Sequence, residues 1–351
     1  MVSNVEHVNT LSEFLTQSES QYRVFDMGRK VQKLSTSTFS DFEDAKMPYP
    51  YPLQQHAWIA ILFWNKQRSE QHYIWFLKLP LDERGLLEQA SRSQFLELVV
   101  TALGKSMEKQ PSKEQQSALD HNPLIFKPSE QKLAAFNSLV GQTLKLPASQ
   151  YMAAAFDYLK DESQYQRWQE IGFQGFADIA SRCDDPMFSQ VIAKALPKLP
   201  QESFCALCCS LENNAINTPI ATTLLTLLKE SIANNDMSRT VHCARALSHA
   251  KGVGFQQQAL TMLLASALIK SELDIVVIIA ARYWQLINDV DCAVAILEAL
   301  SSLNIEQDVF NQVFTDLVSI PSARTHMLNA LRFPQRSEAM AHHIAKLIAG
   351  E

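Results

Sequence analysis

The chain has 351 residues, 47% of them hydrophobic, and a formal charge of −6, which gives it material for more than one core and no basic excess. Divided at Val140, the 31 basic and 37 acidic side chains fall as 15 against 16 before it and 16 against 21 after it. Neither half has the positive field that a phosphate backbone or anionic lipid demands, so nucleic acid and membrane are disfavoured as partners.

Met1 to Ser20 lacks a basic start followed by an apolar run, so no secretory leader is expected. Thr10 and Glu13 have capping-box spacing and open a short helix through Phe14 and Leu15. Tyr22 to Asp26 alternates as a strand does, Met27 to Arg29 supply a turn, and Lys30 to Leu34 return as its partner. Ser37 to Ala45 reads as a helix with Phe39 and Phe42 inward. Pro48, Pro50 and Pro52 alternate with Tyr49, Tyr51 and Leu53, a pattern suited to polyproline II geometry. Ala57 to Trp64 and His72 to Leu79 are aromatic, branched runs joined by a polar stretch, the strongest hairpin signal in the chain. On the first run Trp58, Ala60, Leu62 and Trp64 face one way and Ile59, Ile61 and Phe63 the other, so the sheet should be covered on both sides. A helix over Gly85 to Leu103 would cover one of them. The order describes an α+β domain of antiparallel hairpins over residues 1–104.

Residues 105–128 are rich in Lys, Gln, Ser and Pro and form the expected linker. From residue 129 to 351 every segment has helical period. Leu211, Leu247 and Tyr283 are 36 apart, as are Leu224, Leu260 and Ile296, and Leu228, Leu264 and Leu300; one step back lies at Ile171, Phe188 and Ile192. Ile171 lies four residues off the step back from Leu211, while Phe188 and Ile192 hold the 36-residue step. Such a period belongs to units that bury their apolar faces only by stacking, so an all-α, HEAT-like helical repeat (an α-solenoid) is expected. Hairpins should fall near 165–182 with 186–196, 201–212 with 218–233, 237–250 with 255–270, and 273–287 with 290–303. Pro186, Pro200, Pro219 and Gly252 to Gly254 mark the breaks.

Motifs that carry chemistry are scarce. Cys205, Cys208 and Cys209 could chelate zinc with two further ligands, but Phe204, Leu207, Cys208 and Leu211 follow a buried helix face, and Cys243 takes the place of Leu207 one period later. The thiols therefore read as core, reduced in a cytosol. His342 and His343 are adjacent on a helix and poorly placed to share an ion. Asp41, Asp44 and Lys46 do not sit on adjoining strands, and the glycines lack phosphate-loop spacing. No catalytic, metal-binding or cofactor-binding residue is assigned. The candidate ligand or peptide site is the polar and aromatic set Asp26, Arg29, Tyr49, Tyr51, His56, His72 and Asp82, with an aromatic groove beside a rigid proline lead-in as its peptide-binding form. Around Gly28, the charges of Asp26, Arg29 and Lys30 read as a solvated hairpin tip.

The segments Phe25 to Leu34 (FDMGRKVQKL), Tyr49 to Trp58 (YPYPLQQHAW) and Trp75 to Glu83 (WFLKLPLDE) resemble those of a bacterial family of unknown function. The resemblance implies a bacterial, cytoplasmic protein without an assigned activity and transfers no site residues. The expected function is that of a non-catalytic scaffold or adaptor: a helical-repeat surface binds a protein partner, and the α+β domain recruits or dimerises, which leaves a homo-oligomer open. The competing expectation is a small-ligand sensor or enzyme with its site in the first domain.

Overall fold

The computed structural model of the chain describes residues 8–65, 71–103 and 121–350. It divides into two compact units with the boundary between Pro128 and Ser129. The first holds a small antiparallel sheet and the second consists of helices.

In the first unit, α1 (Leu11–Gln17) is opened by the reciprocal Thr10 and Glu13 capping box. β1 (Ser20–Asp26) and β2 (Gln32–Leu34) flank the Gly28 turn, and α2 (Thr36–Glu43) starts on the Ser35 side chain. β3 (His56–Asn65) and β4 (His72–Pro80) form the long hairpin, and α3 (Gln89–Leu103) follows. The strand order is β2-β1-β3-β4, antiparallel throughout. Alternation along β3 sends Ala57, Ile59, Ile61 and Phe63 into a core shared with Leu11 and Phe14 of α1, Phe39 and Phe42 of α2, and Phe95 and Val99 of α3. Ala60 and Leu62, on the opposite face, are buried as well.

Two expectations are corrected here. The last helix of this unit begins at Gln89 instead of Gly85, because Gly85 takes a left-handed conformation (φ +82°) and closes a turn on Asp82. Of the expected linker, residues 105–120 lie outside the described residues, but its end is part of the sheet. The Lys78 amide donates to the Leu124 carbonyl at 2.7 Å, the Phe126 amide to the Phe76 carbonyl at 3.2 Å, and Phe126 packs edge-on against Trp58 at 4.9 Å. Leu124, Ile125 and Phe126 are apolar among polar neighbours, and that run is what the edge of β4 takes up.

The second unit runs through α4 (Glu130–Thr143), α5 (Tyr151–Lys160), α6 (Phe173–Ala180), α7 (Pro186–Ala195), α8 (Gln201–Leu211), α9 (Thr218–Ala233), α10 (Met237–Leu247), α11 (Val253–Ala265), α12 (Leu273–Arg282), α13 (Val290–Ser301), α14 (Gln307–Ser319), α15 (Pro321–Ala330) and α16 (Glu338–Ala349). The proline and glycine breaks fall at helix starts. Pro186 opens α7, Pro200 and Gly252 cap α8 and α11, and Pro219 lies in the first turn of α9, where a missing amide costs no hydrogen bond. The single helix expected over 165–182 is two pieces, a 3-10 stretch Glu162–Glu170 and α6, separated at Gly172. Helix α4 packs on α6, α6 on α8, α8 on α10, and α10 on α12; α5, α7, α9, α11 and α13 pack in the same succession. Of the residues 36 apart, Leu211, Leu224, Leu228, Leu247, Leu260, Tyr283, Ile296 and Leu300 are buried and Leu264 is half-buried. The loops are tied too: Ile216 and Ala250 form a parallel bridge, and Lys251 pairs with Asp184 at 2.6 Å.

Candidate functional site

The Gly28 turn is closed into the protein, contrary to the solvated tip that its charges suggest. Asp26, Arg29 and Lys30 are each 2% exposed or less, and Met27 and Val31 beside them are buried. Apolar residues at 25, 27 and 31 are the sequence signal that this turn faces inward. Asp26 accepts the Tyr49 hydroxyl at 2.9 Å and the amides of Gly28 and Lys30 at 3.2 and 3.3 Å. Arg29 Nε donates to the Pro52 carbonyl at 2.8 Å, and the Met27 amide to the Trp58 carbonyl at 2.7 Å. Burial, and then the Asp26 charge, push the Tyr49 phenol well above its ordinary range, and the same causes raise Tyr51. Tyr51 sits edge-on to Tyr49 at 6.1 Å and is half-buried. Asp26, Arg29, Tyr49 and Tyr51 are thus brought together, with Tyr49 inside the core instead of lining an open aromatic groove.

The other three candidates do not join them. His56 begins β3 and points its Nδ1 at the Gln54 carbonyl at 2.6 Å. His72 is exposed opposite Trp64, so the two histidines lie at opposite ends of the hairpin, roughly 27 Å apart at about 3.4 Å per residue. Asp82 shapes the turn before α3. Burial raises its carboxyl, but the Leu86 and Arg84 amides, which donate to it at 2.8 and 2.9 Å, together with the Arg84 guanidinium outweigh that and hold it below the usual value.

The feature of this end that the sequence reading missed is the connection into β3. Leu53 and His56 exchange amide-to-carbonyl bonds at 3.1 Å each, with only Gln54 and Gln55 between them at φ +51° and +57°. Two left-handed non-glycine residues in a two-residue hairpin store strain, and they sit where Trp58 Nε1 reaches the Leu53 carbonyl at 3.0 Å and the Leu81 amide the Gln55 carbonyl at 2.9 Å. No turn signal announces it, since glutamine is not a residue that favours this conformation. The three segments whose resemblance was noted meet through these bonds at one end of the sheet.

The family described as "Protein of unknown function (DUF3549)" matches residues 6–348, nearly the whole chain and both units. The chain belongs to that family. No curated protein and no solved structure matches it.

In the second unit the thiols lie in the core, as their spacing indicated. Cys208 and Cys243 are buried completely and Cys205 partly, and burial pushes Cys243 up to about 12 and Cys209 to about 11. His343 stacks on Phe310 at 4.8 Å, meets Gln307 Oε1 at 2.7 Å and lies edge-on to His342 at 6.0 Å. The most highly charged constellation here was not visible in the motif reading. Glu212, at the end of α8, receives Arg245 of α10 (Nε to Oε2 2.9 Å, Nη2 to Oε1 2.7 Å) and Arg282 of α12 (Nε to Oε2 2.8 Å, Nη2 to Oε1 3.4 Å). Burial alone would raise the Glu212 carboxyl, but Arg282 and Arg245 outweigh it and hold the group at about 2. The three residues lie 33 and 37 apart, near the apolar period, so a search for polar residues recurring at that period would have found them.

Proposed function

We propose that the protein is a non-catalytic interaction protein. Its second unit works as a HEAT-like stack of helical hairpins that offers its first-helix layer to a protein partner, and its first unit works as a recruitment or dimerisation module. The observation that carries this reading is the succession of packings, α4 to α6 to α8 to α10 to α12 and α5 to α7 to α9 to α11 to α13, together with burial at residues 36 apart. In such an arrangement each hairpin contacts only its neighbours, and the outer side of each layer is left as an extended surface. On α8, α10 and α12 that side carries half-buried Cys205, Ala206, Val241 and His242 and exposed Val277. The polar set of the first unit supports the same reading, because Asp26, Arg29 and Tyr49 direct their bonds at neighbouring loops.

In-cell crosslinking of the tagged full chain in its native cell, with crosslinks mapped by mass spectrometry, tests the proposal. A stoichiometric protein partner linked through α8, α10 and α12 is the expected outcome. A chain that captures nothing across growth conditions, or one whose stability rises sharply with a single metabolite bound near Tyr51, would overturn it.

A further inference from the structure

We propose that Arg245 and Arg282, clamped on Glu212, form the docking point for a carboxylate side chain from an acidic segment of the protein partner. This deepens the interaction reading above and rests on it. The charges do not balance: two guanidiniums share one carboxylate, which leaves one positive charge uncompensated at a fixed place on the layer. Glu212 is the deepest member, 7% exposed, while the side chains of Arg245 and Arg282 are 24% and 14% exposed and lie on its solvent side. Both arginines spend the Nε and Nη2 edge on Glu212. Their outer donors are left over. Arg245 Nη1 bonds no protein group among the described residues, and Arg282 Nη1 has only the Ala281 carbonyl at 3.3 Å.

Guanidinium forks held in this way are already ordered, so a second carboxylate would be bound without the usual loss of side-chain freedom. The residual charge of one matches a single carboxylate. A longer polyanion running along the layer would meet Glu202 and Asp274, both exposed at the far ends of α8 and α12. His242, one turn before Arg245, lies in the field of Arg245 and Glu212 and serves as a resident reporter. Cys209, next to both arginines, is buried and leaves a small-residue floor there.

The test uses the full chain and a fluorescein-labelled peptide with one glutamate among neutral residues, with the same peptide carrying glutamine in its place as control. Anisotropy reads binding and the His242 imidazole resonances read its place. The glutamate peptide should bind and shift His242, and the glutamine peptide should do neither. Arg282→Gln keeps the Arg245 and Glu212 pair but removes the excess charge, and should weaken binding by about tenfold or more, the worth of a charge-assisted hydrogen-bond pair. Glu212→Gln frees both forks and should tighten binding by a similar factor, which a purely structural clamp would not do. An unmoved His242, equal binding to Arg282→Gln, or tighter binding of inorganic phosphate than of the glutamate peptide would overturn the assignment. If crosslinking to a partner through α8, α10 and α12 survives Arg282→Gln unchanged, this docking point fails and the interaction reading stands; if no partner is captured by either protein, that reading fails.

Discussion

Replacing Gln55 by glycine should stabilise the protein, and the size of the effect follows from the turn that holds it. Gln54 and Gln55 are the two central residues of a hairpin closed by reciprocal Leu53 and His56 bonds, and both have positive φ. A left-handed L-residue costs about 1–2 kcal/mol, while glycine returns about 0.5–1 kcal/mol of that through its greater freedom in the unfolded chain. The net gain for Gln55→Gly is therefore about 0.5–1 kcal/mol. The exposed Gln55 side chain can be removed cheaply, and the Gln55 carbonyl that accepts the Leu81 amide at 2.9 Å remains. Hydrogen exchange of the Leu53 and His56 amides in the full chain reads the change directly, with a two- to fivefold slowing expected for that free energy at about 0.59 kcal/mol per e-fold. Gln55→Val should act in the opposite direction, since a branched side chain fits positive φ badly. Unchanged or faster exchange in the glycine variant would refute the claim that this turn stores strain.

Tyr49→Phe deletes the hydroxyl that bonds Asp26 at 2.9 Å and should cost about 1–3 kcal/mol in a urea titration followed by tryptophan fluorescence; a change within the error of the midpoint would count against Asp26 as the anchor of this loop. Gly175→Ala would place a Cβ 2.8 Å from Ala155 Cβ and 2.9 Å from the Tyr151 carbonyl, so α5 and α6 must separate, and thermal unfolding should show a loss of about 1–3 kcal/mol that Ala155→Gly relieves only in part. Glu212, with a folded value of about 2 against 4.5 unfolded, contributes stability that is present above pH 4.5 and lost as pH falls toward 2, on the order of 3 kcal/mol; urea midpoints of the second unit at pH 7 and pH 3 should converge in Glu212→Gln. Glu43 has the opposite sign, because burial raises its carboxyl above 4.5 despite its bonds from Ser12 and Leu11. Its stabilising contribution is complete below pH 4.5 and declines as pH rises through the folded value, so acid should not weaken α1 by way of Glu43, as amide exchange in that helix will report.

Most of the elements were readable because local rules and burial agreed. The Thr10 and Glu13 box, the alternation of β3, and prolines at the starts of α7 and α9 each name a backbone conformation that the surroundings also favour. The site was read less well, for a physical reason. A charged turn such as Asp26 to Lys30 reads as solvated unless partners distant in sequence compensate it, and those partners, Tyr49 and Pro52, lie 23 residues away and carry no motif. The Gln54 and Gln55 turn was hidden because its conformation is imposed by the strands on either side against local preference. Leu124 to Phe126 went unread because three apolar residues in a polar stretch carry too little periodicity to mark a strand.

A common device accounts for what local rules missed. Four buried carboxylates each gather donors from separate elements: Asp26 from Tyr49 and its own turn, Glu43 from Leu11 and Ser12 at the start of α1, Asp178 from Ser138, Gln174 and Ser149, and Glu212 from Arg245 and Arg282. A carboxylate taken out of water is destabilising by several kcal/mol unless it is fully bonded, so any packing that moves one partner away raises the energy steeply. Apolar contacts tolerate small slips, and these bonds do not. Glu212 differs from the other three in the bonds it accepts: it takes two guanidinium forks, from Arg245 and Arg282. A structural tie would be complete with Arg245 alone, which already makes a two-pronged pair at 2.7 and 2.9 Å. Arg282 adds a second fork from the last turn of α12, so the tie spans three helices instead of two.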